Sequence, residues 1–222
     1  MSAQPPPSPN APDYQRAARD AMDRAKVAAQ DALQTFMKLI YNPVGALPDA
    51  YSALPGQKAI AVGIVFCVAF TLCMVFAGGT IISALTGGFG SMGSMGFKGF
   101  LLVLFTSLAF GAGVGIGNYL ARLAFKGQGA VSFDVFLGGA TLLPIGIGAL
   151  VSSLLGLIGI GGIIGQLPAM VGACLGILVL FTGLNRIAGI KEGPSSYLVA
   201  AVLTVGGFCA YLVARMLVSV LF

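Results

Sequence analysis

The stretch AIAVGIVFCVAFTLCMVFAGGTIISAL, residues 59–85, contains no charged residue. It is longer than the roughly twenty apolar residues that a helix needs to cross about 30 Å of hydrocarbon. A helix that is hydrophobic all round belongs in a protein core or a bilayer. Four further stretches have the same character, and we predict transmembrane helices over residues 59–85, 100–125, 133–158, 167–187 and 197–221. The predicted fold class is therefore all-α, a polytopic membrane protein with five transmembrane helices and an N-terminal amphipathic cytoplasmic helix.

The composition indicates the same class of protein. Of the 222 residues, 57% are hydrophobic and 9% are charged, whereas charged residues make up roughly a quarter of a soluble domain. The polar residues are concentrated at the beginning of the chain, up to Lys58. We therefore divide the chain into a Pro-rich tail over residues 1–12, predicted to be disordered, cytoplasmic or interfacial amphipathic helices over residues 13–57, and a five-helix transmembrane domain over residues 58–222.

An amphipathic helix is predicted from Asp13, a residue type that caps helices, to Asn42-Pro43, where proline disfavours further helix. Its apolar residues share one face and become larger toward the C-terminal end. Two interpretations remain open. In the first, the helix packs against the cytoplasmic face of its own protein. In the second, it lies in the lipid interface or docks a partner helix, and its basic residues would favour a position beside anionic lipid. The candidate contact residues are Arg16, Arg19, Leu33, Phe36, Met37 and Ile40.

The distribution of Lys and Arg predicts the orientation, because short basic loops stay on the cytoplasmic side. Six of the twelve basic residues precede the first span. Arg122 and Lys126 lie at the end of the second span or just after it, and Arg186 and Lys191 have the same positions relative to the fourth span. The connection after the first span contains Lys98 alone. We therefore predict a cytoplasmic N-terminus.

The connection between the third and fourth spans is the weakest part of this topology. The sequence GLIGIGGIIGQLP, residues 156–168, is apolar and dense in glycine. If this connection does not reach the far surface of the membrane, residues 133–187 form one re-entrant hairpin instead of two spans.

Small residues let helices approach closely in a membrane, and the sequence FGAGVGIGNYLARLAF in the second span has alternate glycines. Close packing, with a kink at a helix-breaking proline, is the first interpretation. The alternative is that glycine-bent helices line a moving pathway. The residues assigned to helix packing are Gly111, Gly113, Gly115, Gly117 and Pro144. In a transporter, the polar residues of the pathway would be Asn118, Gln166 and Asn185.

Catalytic chemistry has no evident components in the sequence. The chain has no histidine, and its acidic residues beyond residue 58 are only Asp134 and Glu192, both at predicted membrane interfaces. Its four cysteines lie in apolar stretches without a CxxC pair, so the pattern predicts neither a zinc site nor an activated nucleophile. The basic residues form no stripe with interleaved aromatics. We predict no enzyme activity, no cofactor, no metal and no nucleic-acid partner.

Three segments carry a family resemblance: FMKLIYNPVGALPDAYSAL (residues 36–54), GQGAVSFDVFLGGATLLPIGIGALVSSLL (127–155) and LGILVLFTGLNRIAGIKEGPSSYLVAAVLTV (175–205). In this order of features the chain resembles the bacterial branch of the YIP family of five-span membrane proteins. The resemblance implies five spans and a location in the bacterial inner membrane. The Asp-Leu-Tyr-Gly-Pro motif of the eukaryotic branch, whose members are Rab-interacting factors, is absent, so no family binding residue is assigned.

These observations favour a non-enzymatic integral membrane protein that acts by association. It would be a subunit or organiser of a membrane assembly, or a lipid-shaping or membrane-shaping factor. The expected partners are membrane lipid and other membrane proteins, or further copies of this chain. The alternative is a small transporter or channel, which requires a continuous hydrated path across the membrane.

Cysteine-accessibility labelling tests the predicted topology. In a variant whose four native cysteines are replaced, Gly90→Cys and Gln128→Cys should be labelled from opposite sides of the membrane, because one span separates the two positions. Labelling of both positions from the same side would contradict the five-span topology.

Overall fold

The computed structural model of this chain describes residues 13–42, 44–54, 56–85 and 96–221, and these residues form helices and short connections without a β-strand. Five of the helices are long and apolar enough to cross a membrane, which confirms the predicted all-α class with five membrane-spanning helices. The predicted disordered tail lies outside the described residues. The helices are α1 (Asp13–Tyr41), α2 (Leu47–Ser52), α3 (Gln57–Leu85), α4 (Phe97–Ala124), α5 (Val131–Leu157), α6 (Gly162–Thr182, continued by a π-helical turn, Gly183–Ile187) and α7 (Glu192–Leu221).

The third and fourth spans are two full-length helices. α5 has 27 residues, and α6 with its π-helical turn has 26. At about 1.5 Å per residue each is about 40 Å long, which exceeds the roughly 30 Å of hydrocarbon. Each of the two helices is therefore long enough to form a full span, as the five-span topology requires. α6 begins at Gly162, before the predicted residue 167, so Gln166 and Pro168 lie inside the helix.

Glycine sets the position of the turn between these two helices. Gly159 adopts φ +83°, a left-handed conformation that glycine enters without steric cost. The N–H of Ile160 donates to the carbonyl oxygen of Leu155 at 2.9 Å, and the N–H of Gly159 donates to that of Gly156 at 3.2 Å. This pair of hydrogen bonds is the Schellman arrangement, which ends α5 by satisfying its last carbonyl groups.

Glycine backbones also meet where the spans pack most closely. α5 is the central helix and packs most extensively against α3 and α6, while α7 packs against α4. The facing pairs are Gly63 with Gly139 between α3 and α5, Gly148 with Gly172 between α5 and α6, and Gly113 with Gly206 between α4 and α7. A Cβ atom added to Gly113 would lie only 2.8 Å from the Cα of Gly206. Pro144 lies inside α5, and its carbonyl oxygen faces Gly172.

The other glycines assigned to packing in α4 have different surroundings. A Cβ added to Gly117 would lie 3.1 Å from the Cα of Val202, and one added to Gly111 would lie 3.3 Å from the Cδ1 of Leu142. Gly115 is the exception, because a Cβ there would meet no atom within 4 Å. Its Cα instead borders open space between α4 and α5.

The C-terminal half of α1 packs onto the bundle. Ala32 and Leu39 are buried against it, and Asp31 pairs with Lys58 at the start of α3, with 3.1 Å between Oδ2 and Nζ. Residues 17–30 are almost all exposed. α1 therefore has a docked half and an exposed half.

Gly113→Leu should lower the melting temperature in detergent, because its side chain would separate α4 from α7 where the two backbones touch. Overpacking of this kind costs about 1–3 kcal/mol. Gly207→Leu is the matched control, since a Cβ at Gly207 meets no atom within 4 Å. Equal melting temperatures for the two variants would show that close glycine contact does not stabilise this interface.

Candidate functional site

A buried ion pair joins α4 to α5. The Nη2 of Arg122 donates to the Oδ2 of Asp134 at 2.7 Å, and the Nε of Arg122 donates to both carboxylate oxygens at 3.1 and 3.2 Å. The Nη1 donates to the carbonyl oxygen of Gly129 at 2.9 Å. Arg122 is 8% exposed and Asp134 is 1% exposed. The paired, hydrogen-bonded geometry compensates two charges whose isolated burial would be costly.

The antiparallel arrangement of α4 and α5 brings these side chains together. α4 ends with a hydrogen bond from the N–H of Gly127 to the carbonyl oxygen of Arg122 at 2.8 Å, and Lys126 turns the chain at φ +51°. Asp134 lies in the first turn of α5, where a carboxylate is also favoured by the helix dipole. The guanidinium carbon of Arg122 lies 5.4 Å from the ring centroid of Tyr119.

Several connections gather at this end of the bundle. The N–H of Gln128 donates to the carbonyl oxygen of Ala188 at 2.8 Å. The connection from α4 to α5 therefore lies beside the connection from α6 to α7. Tyr51 of α2 packs edge-on against Phe133, with 5.4 Å between ring centroids. We call this the basic end, and the basic residues that it carries are Arg122, Lys126, Arg186 and Lys191.

The sequence placed both members of the ion pair near a membrane interface but did not reveal that they are paired. The feature of the sequence that could have indicated this pair is a basic residue near the end of one predicted span followed by an acidic residue near the start of the next. A short connection between antiparallel helices brings such positions face to face. Because each group is engaged by the other, Arg122 and Asp134 here serve to join helices.

The three polar residues predicted for a transport pathway do not form one lining. Asn118 is buried in α4, where its Nδ2 lies 3.5 Å from the carbonyl oxygen of Asp134, and its Oδ1 has no partner within the described chain. Gln166 is exposed on α6. Asn185 donates to the carbonyl oxygen of Ile190 at 3.0 Å and holds the turn toward α7. None of the three lines either of the grooves that flank α5.

Two apolar grooves flank α5. One, of about 300 Å³, lies between α5 and α6, and Phe36 and Leu39 of α1 reach it. The other, of about 480 Å³, lies where α3, α4 and α5 meet, and Gly111, Gly115 and Gly138 are part of its lining. We call these the α5–α6 groove and the α4–α5 groove.

The predicted contact residues of α1 lie on different sides of the helix. Phe36 is half-buried and packs against the core, whereas Leu33 and Met37 are exposed. Arg19 is exposed as well. The side chains of this set that lie outside the described part of the structure are those of Arg16 and Ile40.

Within residues 13–42, 44–54, 56–85 and 96–221, no cluster of three or more His, Cys, Asp or Glu side chains is present that could hold a metal ion. Comparison with family models, with curated proteins and with solved structures found no match to this chain.

Removing one member of the ion pair should destabilise the protein, because the other charge stays buried without compensation. Asp134→Leu or Arg122→Met alone should cost about 3–5 kcal/mol, and the double substitution should recover most of that loss. Unfolding free energies in detergent, arranged as a double-mutant cycle, measure the coupling. Arg186→Met, at an exposed position of the basic end, controls for the loss of a positive charge. Strictly additive effects would show that the two residues are not coupled.

Proposed function

We propose that this protein is a non-enzymatic integral membrane protein that acts by association. It serves as a subunit or organiser of a membrane assembly, or as a lipid-shaping or membrane-shaping factor, and α1 is its contact with lipid and partner proteins. The proposal includes a YIP-type architecture, a cytoplasmic N-terminus and a location in the bacterial inner membrane.

This proposal rests on one observation, which is that only part of the apolar face of α1 packs against the bundle. Leu39 is 7% exposed against the bundle, whereas Leu33, Met37 and Tyr41 are 61%, 46% and 82% exposed. Residues four positions apart lie above one another on a helix, so these three form one stripe along its outer flank. We call it the outer stripe. The bundle covers one part of the apolar face of this amphipathic helix and leaves the other part open for an apolar partner.

The depth of α1 favours lipid as the contact of the outer stripe. Phe36 and Leu39 share the α5–α6 groove with Ala140. Ala140 lies about 13 Å along α5 from its first residue, Val131, at about 1.5 Å per residue. Side chains that reach this depth place the C-terminal half of α1 at the boundary between headgroups and acyl chains.

Basic side chains lie on the same side of α1 as the outer stripe, closer to the N-terminus. Arg19, Lys26 and Leu33 follow one another at seven-residue intervals, so they lie on nearly the same side of the helix. Both basic side chains are exposed. A basic segment followed by an apolar one is suited to a surface of anionic lipid.

Two further observations support the rest of the proposal. Asp134, one of two acids beyond residue 58, is held by Arg122, which supports a role without acid–base chemistry. The basic connections share one end with α2, the segment that precedes the first span. Under the positive-inside rule this arrangement supports a cytoplasmic N-terminus.

The environment of the outer stripe can be measured with single tryptophans, because the chain has none of its own. In full-length protein in vesicles of phosphatidylcholine and phosphatidylglycerol, Leu33→Trp should be quenched by lipids brominated on their acyl chains and shielded from aqueous iodide. Lys38→Trp is the matched control, at an exposed position about 140° around the same helix, and iodide should quench it.

Shielding of Leu33→Trp from both quenchers would identify a protein contact, such as a second copy of the chain, and would also support association through α1. Quenching of both tryptophans by iodide alone would overturn the proposal that α1 is a contact surface.

A further inference from the structure

The floor of the α4–α5 groove includes the backbone of three glycines. Gly111 and Gly115 of α4 and Gly138 of α5 line it. A Cβ added to Gly138 would lie 3.5 Å from the Cα of Gly115, an ordinary contact, whereas one added to Gly115 would point into open space. The two helices therefore meet behind the groove and leave its mouth open. Leu108 and Ile116 form exposed parts of the rim.

The groove runs from the basic end toward the middle of the span. Its lining in α4 extends from Tyr119 to Leu108, a length of about 16 Å along the helix. This length is about half of the roughly 30 Å of hydrocarbon in a bilayer. Asp134 and Tyr119 lie at the basic end of the groove, and its lining is otherwise almost entirely apolar. The groove therefore has the depth and the polarity of one leaflet.

The volume of the groove fits a single hydrocarbon chain. An apolar protein cavity of about 150 Å³ binds benzene. The groove, at about 480 Å³, offers about three times that space, which corresponds to a chain of roughly eighteen carbons. Carbon atoms placed over the glycine floor would gain dispersion contacts that this surface otherwise lacks.

The positive charge of the basic end, at which the groove begins, favours an anionic headgroup. Asp134 compensates Arg122, while Lys126 is exposed in the connection between the two helices that form the groove. The neighbouring connection adds Arg186 and Lys191. An anionic phosphate at this level of the membrane would meet an excess of positive charge.

We propose that the α4–α5 groove is a binding site for an anionic phospholipid of the leaflet at the basic end. One acyl chain lies over Gly115 and Gly138, and the phosphate lies beside Lys126. The bound chain fills the space between α4 and α5 below their ion pair. This site is separate from the outer stripe of α1 and does not depend on the role proposed for that helix.

Gly115→Leu tests the site, because the added side chain occupies the groove without displacing a neighbouring helix. Purified full-length protein, incubated with phosphatidylglycerol in mild detergent, is examined by native mass spectrometry. The parent protein should retain one phosphatidylglycerol per chain, and Gly115→Leu should reduce that occupancy at least tenfold. Gly207→Leu, the same substitution at an open position of α7, should retain lipid as the parent does.

Ala112→Leu is a second groove-filling variant, at an exposed lining position, and keeps the test decisive if Gly115→Leu does not fold. Lys126→Gln should reduce the preference of the protein for phosphatidylglycerol over phosphatidylcholine. Undiminished retention by a folded groove-filling variant would overturn the proposal. Equal retention of the two lipids by the parent would overturn the assignment of a net negative headgroup.

Discussion

In hydrocarbon every backbone N–H and C=O group must find its hydrogen-bond partner within the protein, and a helix provides these partners within one segment. The same solvent removes the hydrophobic attraction between helices, so close van der Waals contact and a few polar bonds must hold them together. In this protein the contact is made by backbone against backbone, at glycine pairs such as Gly113 with Gly206 and Gly148 with Gly172. α5, which meets α3 and α6 in this way, lies at the centre.

The Arg122–Asp134 pair supplies the polar bond at the basic end. It joins α4 to α5, and these two helices otherwise make less extensive contact than α3 makes with α5 or α4 with α7. Toward the membrane centre the α4–α5 groove opens between them, beside Gly115. The ion pair and the groove therefore belong to one arrangement, in which two helices are joined at one end and leave an open groove beside their contact below it.

The outer stripe of α1 and the α4–α5 groove both lie near the basic end. The outer stripe of α1 exposes large apolar side chains such as Leu33 and Met37, and the α4–α5 groove begins at Tyr119 in the last turns of α4. Both surfaces match the chemistry of one leaflet, with apolar contact below and positive charge above. A protein that associates with lipid and with other membrane proteins requires surfaces of this kind. α3 connects them, because α1 packs against α3 and Cys67 of α3 lines the groove.

The sequence by itself determined the five spans and the end of α1 at Tyr41, because hydropathy and a helix-ending proline act on a segment independently of its neighbours. The tertiary structure decided which glycines meet, that Arg122 finds Asp134, and that Gly115 faces open space. It also decided that α1 turns Leu39 toward the bundle and Leu33 away from it. These features depend on the rotation of each helix about its axis and on its neighbour. In a bilayer a span that is apolar on all sides carries no hydrophobic face to fix that rotation, so only the contacts between helices can set it.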